Sequence, residues 1–144
     1  MQDNTARSEA AFCGNFCWGI EMNATYSKWN EIEVESLTPL LDRQLIVGAN
    51  LMIARLLLRK GAKVPLHSHH NEQITHVLEG VLRFQIDGRE IDVRAGEVLC
   101  IPPHMPHEAL ALEDTIDIDI FTPPRQDWLD KSDAYLRQLP ETAR

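Results

Sequence analysis

The sequence predicts an all-β sandwich or barrel followed by one short C-terminal helix. Three observations carry this expectation. Short apolar runs recur from Leu45 to Phe121 at intervals of roughly 8–12 residues, with turn residues between them and no helical pattern. Asp87-Gly88, set between alternating segments, is a strong two-residue hairpin signal. After Pro123-Pro124 the period changes, and Trp128, Ser132, Tyr135 and Leu139 fall on one helical face.

In chain order, residues 1–28 read as a loosely ordered arm, 29–124 as the barrel and 125–144 as a helix and tail. Ile32–Leu41 mixes acids with Ile, Val and Leu and suits an extended edge segment. Leu51–Leu58 is strongly apolar, with Arg55 inside it, and ends at Gly61. Ile74–Leu78 runs to Glu79-Gly80, Val81–Ile86 to the hairpin turn, and Arg89–Arg94 to Ala95-Gly96. Val98–Ile101 stops at Pro102-Pro103, and His107–Leu112 reaches Glu113-Asp114. In Thr115–Phe121 an apolar row of Ile116, Ile118 and Ile120 alternates with Asp117, Asp119 and Phe121. That apolar row reads as the core face.

Bulk properties narrow the function classes. The 144 residues suit one domain with a sizeable core, and 44% apolar with 25% charged residues is ordinary for a globular protein. A net charge of −8 argues against nucleic-acid or anionic-membrane partners. It leaves room for a small anionic substrate held by local arginines. The three cysteines, Cys13, Cys17 and Cys100, are odd in number and lack CxxC spacing, which points to a reducing compartment. No stretch approaches the ~20 apolar residues of a membrane span. Cytoplasm is the expected location.

All six histidines lie between His67 and His107. His67 and His69 are two apart, so on a strand both point to one face. Gln73 follows four residues later, and His107 arrives on a separate strand. Three imidazoles and an amide oxygen form a mixed N/O set suited to one divalent Ni, Zn, Fe, Mn or Cu ion. Asp119 and Phe121 share a strand face, so an acid beside an aromatic is a candidate general acid/base with an apolar wall. Arg125, just beyond the strand, is placed to clamp a carboxylate bidentately, and Arg55 is a second candidate. The plain alternatives are a solvated strand face for Asp117 and Asp119, between which parity does not choose, and a salt bridge to Asp127 for Arg125. His76 lines the cavity or sits hydrogen-bonded in the sheet. His70 and His104 read as surface or turn residues.

The ordered spacings resemble the two motifs of the cupin superfamily. Gly61, five residues, His67-Ser68-His69, three residues, Gln73, six residues and Gly80 follow the first. Gly96, five residues, Pro102, one residue, His104, two residues and His107 follow the second. Gln73 stands where the motif has glutamate, and His104 where it has glycine. The resemblance implies a double-stranded β-helix, a jelly-roll barrel of two packed antiparallel sheets, with His67, His69, Gln73 and His107 at its mouth around a metal. It also implies a homodimer joined through N-terminal strands, which would suit Ile32–Leu41. The segment from Asp117 to Trp128 is similar to the end of the small cupins typified by the pectin-degradation protein KdgF, which share the glutamine ligand. Their D-x-F-x-x-x-R pattern falls on Asp119, Phe121 and Arg125. This similarity implies an isomerase that linearises 4,5-unsaturated uronates, with Asp119 and Arg125 catalytic and Phe121 against the substrate; Arg55 and His76 are further candidate substrate contacts from their place in the strands alone. Two other readings stay open: a metal lyase of the dimethylsulfoniopropionate type or a dioxygenase, and a non-catalytic cupin that binds metal or a small ligand.

Overall fold

Period-2 patterning over short runs, punctuated by turn residues, gives ten strands among the described residues. The structure, a computed structural model, describes residues 23–138. The strands are β1 (Glu35–Thr38), β2 (Leu41–Val47), β3 (Met52–Leu58), β4 (Lys63–His67) and β5 (Glu72–Glu79). They continue with β6 (Val81–Ile86), β7 (Arg89–Arg94), β8 (Val98–Ile101), β9 (His107–Ala111) and β10 (Thr115–Thr122). A six-stranded sheet in the order β1-β2-β3-β10-β5-β8 faces a four-stranded sheet in the order β4-β9-β6-β7. The assigned strand pairs are antiparallel. This is the double-stranded jelly roll expected from the motifs.

Turn chemistry sets the register. Asp87 and Gly88 take φ of 52° and 66°, the left-handed pair that a two-residue hairpin between β6 and β7 needs. Gly80, between β5 and β6, is required for two reasons. Its φ is +83°, and a Cβ there would lie 2.3 Å from the Asp114 carbonyl oxygen.

The core lies between the sheets and includes Leu56, Leu58, Val77, Leu82, Phe84 and Ile101. One parity expectation is reversed. Thr115, Asp117, Asp119 and Phe121 form the buried, inward face of β10, whereas Ile116, Ile118 and Ile120 are half-buried on the outside. Polarity misassigned the faces because two carboxylic acids occupy interior positions while the isoleucine row lies outside.

The two described ends of the chain flank the barrel. Residues 23–28 are exposed and irregular, and the rest of the expected arm, residues 1–22, lies outside the described residues. β1, within the segment expected at a dimer contact, pairs with β2 of its own chain. The expected short C-terminal helix is present as one turn, α1 (Gln126–Leu129), and is followed by a 3-10 turn at Ala134–Arg137. The break falls where Lys131 takes φ +60° and the Asp130 side chain accepts hydrogen bonds from Ser132 N and Oγ at 3.1 and 2.6 Å. Trp128 and Leu136 are buried, Ser132 is exposed, and Leu139 lies outside the described residues.

Buried charges draw this segment onto the barrel instead. The fully buried Arg43 of β2 donates to Asp133 at 2.7 Å and to Glu35 at 2.9 Å, and Arg137 binds both acids from the other side. Removing one partner of such a buried pair costs about 3–5 kcal/mol. The Trp128 ring lies between two guanidiniums, Arg43 at 4.6 Å and Arg125 at 4.7 Å.

Candidate metal centre

Four elements converge at one end of the cup. His67 ends β4 and His107 begins β9, and the two are paired across the four-stranded sheet. His69 lies in the loop after β4, and Gln73 faces inward from β5. One nitrogen from each of His67, His69 and His107 lies within 4.8 Å of the others.

Backbone carbonyls orient all three rings in one way. The Nδ1–H groups of His67, His107 and His69 donate to Pro65 O at 2.8 Å, Met105 O at 2.8 Å and Asn71 O at 3.0 Å. This leaves each Nε2 as the free lone pair, the tautomer a metal site needs. Burial, followed by the positive charge of His107, pushes the His67 pKa down to about 3. Burial and then Arg125 push His69 to about 4, and burial lowers His107 as well. The imidazoles are therefore neutral at pH 7.

Two contacts test whether an ion fits. His107 Nε2 is buried with no hydrogen-bond partner. His69 Nε2 lies 3.1 Å from Gln73 Oε1. A neutral His69 has already used its N–H on Asn71, so these two atoms meet as lone pairs. A shared cation satisfies both orphan conditions, and the N/O donor set suits a borderline divalent metal.

The Gln73 amide joins this centre to a buried acid. Its Nε2 donates to Thr75 Oγ1 at 2.9 Å and to Asp119 Oδ1 at 3.3 Å, and Thr75 also donates to Asp119 Oδ1. Burial raises the Asp119 pKa to about 6, against the lowering effect of Thr75, Gln73 and Arg125. Asp117 lies two residues deeper, also fully buried. Its Oδ1 has no partner, and burial with Asp119 nearby lifts its pKa well above the carboxylate range.

Arg125 is buried and lines the same cavity. The expectation of a bidentate clamp needs correction. Its Nε and Nη2 are already paired with Asp127 at 2.9 and 2.7 Å, and Nη2 also donates to Tyr135 Oη at 2.7 Å. Only Nη1 is left without a partner. Phe121 forms the wall between His69, 5.7 Å away between ring centroids, and Trp128, 5.0 Å away.

Two expected substrate contacts lie elsewhere. Arg55 and His76 flank Ile118 on the outer face of the six-stranded sheet, away from the cavity. The reason is parity, since Ala54, Leu56, Thr75 and Val77 take the inward positions on those strands. Arg55 instead donates to Gln44 Oε1 at 2.9 Å.

Sequence reasoning missed three residues at the site. Thr75 was within reach of it, being two positions from Gln73 on the same strand face. Asn71, buried, holds His69 through its carbonyl and Pro123 O through its side chain at 2.6 Å. Tyr135 stacks on His67 at 4.8 Å and accepts hydrogen bonds from Arg125 and Trp128. Nothing local in the sequence marks these two. His104 has φ +65°, the left-handed conformation of the motif's glycine, and its N–H donates to His69 O at 2.7 Å.

A family profile described as a cupin domain matches residues 54–121. The crystal structure of an RmlC-like cupin from Shewanella frigidimarina is 31% identical, covers 74% of this chain and 96% of its own, and has a TM-score of 0.69. This chain belongs to the cupin family. KdgF from Halomonas sp. is 27% identical, with 74% of this chain and 99% of that one covered and a TM-score of 0.70. An uncharacterized protein of Methanocaldococcus jannaschii is 31% identical over 70 residues, 48% of this chain. The match spans just over half, 56%, of that relative's length. Among the described residues of this cupin, no helix is long and apolar enough to cross a membrane.

Proposed function

We propose that this cupin is a divalent-metal-dependent isomerase that converts 4,5-unsaturated uronates to their linear keto forms. One observation carries the reading. The Gln73 amide bridges a neutral N/O donor cluster and a buried carboxyl whose pKa lies near neutrality. The likeness to KdgF, with Asp119, Phe121 and Arg125 at the matching motif positions, supports the same conclusion.

A divalent ion held by His67, His69, Gln73 and His107 would supply Lewis acidity toward a sugar oxygen. The remaining chemistry needs only proton movement. Ring opening breaks the bond between C1 and the ring oxygen as the C1 hydroxyl loses its proton. The resulting C5 enol becomes a ketone as C4 gains one. Atoms and electrons balance with no oxidant. Asp119 is suited to carry that proton, because its two protein donors both fall on Oδ1 and leave Oδ2 free. Arg125 Nη1 holds the substrate carboxylate through a single nitrogen, and Phe121 walls the site against water.

The test is metal-loaded protein with an unsaturated galacturonate in D2O. Turnover consumes the ultraviolet absorbance of the conjugated double bond and places deuterium at C4, read by NMR. No conversion with any of Ni, Zn, Fe, Mn or Cu would overturn the reading. Oxygen uptake with iron would reassign the site to a dioxygenase, and acrylate release from dimethylsulfoniopropionate to a lyase.

A further inference from the structure

The C-terminal segment brings a phenol to the metal centre. Tyr135 sits in the 3-10 turn Ala134–Arg137, and its neighbours in sequence fix it there. Asp133 is buried against Arg43, and Leu136 is buried in the core. The Tyr135 ring stacks on His67, one of the candidate ligands, at 4.8 Å between centroids.

The hydrogen bonds at this phenol leave one group over. A tyrosine hydroxyl has two acceptor lone pairs and one donor. Both lone pairs are occupied, by Arg125 Nη2 at 2.7 Å and Trp128 Nε1 at 3.3 Å. Among the described residues the O–H proton has no acceptor. Arg125 shows the same imbalance. Asp127 takes its Nε and one N–H of Nη2, Tyr135 takes the other, and Nη1 is buried without a partner. The guanidinium is also packed against the Phe121 and Trp128 rings, at 5.1 and 4.7 Å.

Asp127 occupies the Nε edge, so Tyr135 meets Nη2 on the side that faces Nη1. Two uncommitted donors thus stand side by side. Such a pair matches an acceptor-only group with two oxygens. Asp127 already offsets the guanidinium charge, which favours a singly charged carboxylate over a phosphate.

We propose that Tyr135 completes a two-point carboxylate clamp, its O–H donating to one oxygen of the bound acid while Arg125 Nη1 donates to the other. The inference deepens the uronate reading above and rests on it for the identity of the acid. It restores by a phenol the second contact that Arg125 lacks.

The test is Tyr135→Phe in the full, metal-loaded chain, which removes the hydroxyl and keeps a ring to stack on His67. With unsaturated galacturonate, KM should rise at least about tenfold while kcat changes less than about twofold, the pattern of a contact made equally in ground and transition states. Saturated galacturonate and galactose are titrated by calorimetry alongside. The variant should lose at least about tenfold in affinity for the acid and none for the neutral sugar. Absence of turnover with Tyr135-dependent galacturonate binding would sink the isomerase reading and leave the clamp standing. Turnover with unchanged KM, equal galacturonate affinity in both proteins, or no galacturonate binding by wild type would each overturn the clamp. A second variant separates donation from mere support of Arg125. The chain has two tyrosines, and Tyr26 is 84% exposed, so Tyr26→Phe grown with 3-fluorotyrosine labels position 135 alone. Fluorine makes the phenol a stronger donor and a weaker acceptor. Tighter galacturonate binding supports the clamp, and unchanged or weaker binding overturns it.

Discussion

Replacing Asp119 with asparagine should make the metal-free protein more stable and, on the proposed activity, inactive. Asparagine is isosteric, and its carbonyl oxygen can still accept from Thr75 and Gln73. The change therefore removes the charge while keeping the shape, and it also relieves the repulsion that helps raise Asp117. In the fold the Asp119 pKa is raised from 3.8 to about 6. A raised carboxyl binds its proton more tightly when folded, so it contributes nothing below pH ~4. It lowers stability as pH climbs from 3.8 to about 6, and the penalty is constant above that. Each pKa unit is worth ~1.4 kcal/mol, so the gap amounts to about 3 kcal/mol at pH 7.5. Urea unfolding of both proteins after chelation, at pH 4 and pH 7.5, measures it. The variant should match wild type at pH 4 and exceed it by about 3 kcal/mol at pH 7.5, with metal content on reloading unchanged. An equal difference at both pH values would refute the buried-charge argument. Loss of metal would make Asp119 a ligand instead.

Further outcomes follow from the same geometry. Gln73→Glu should bind divalent metal more tightly, by about tenfold in titration calorimetry, since a carboxylate adds charge to the donor set. It should also move the acidic limb of any pH–rate profile upward, because the new charge lies beside Asp119 Oδ1. The folded pKa values of His67 and His69, about 3 and about 4, lie below the 6.5 of a free imidazole. Proton competition at these nitrogens is therefore deferred, and metal affinity should stay nearly flat from pH 7.5 to 5.5, where an exposed histidine site weakens. Gly80→Ala should cost roughly 3 kcal/mol or more in chemical denaturation, because both φ and the Asp114 carbonyl exclude a Cβ.

The strands and the candidate ligand cluster were legible because both are written in local spacing. Motif spacing marks His67, His69 and Gln73, although the fold divides them among β4, the loop after it and β5 rather than one strand face, and Asp87-Gly88 carries the backbone preference of its own turn. The face assignment of β10 was not legible. Alternation reveals that Ile116, Ile118 and Ile120 oppose Asp117, Asp119 and Phe121, but it carries no label for the inside. Polarity misled there, since two buried carboxyls stand where a core would hold isoleucine. The same ambiguity sent Arg55 and His76 to the cavity, when their pairing with Ile118 of β10 places them on the outer face.

Spacing in the chain thus sufficed to determine the architecture, the metal-ligand candidates and the Asp119, Phe121, Arg125 pattern. Contacts between distant segments decided the rest. Arg125 loses its bidentate edge to Asp127 and Tyr135, and Asn71 ties the histidine loop to Pro123. The C-terminal helix is cut short as Asp133 reaches Arg43 across 90 residues. These outcomes depend on which charges are desolvated together, and desolvation is a property of the packed molecule that no local pattern encodes.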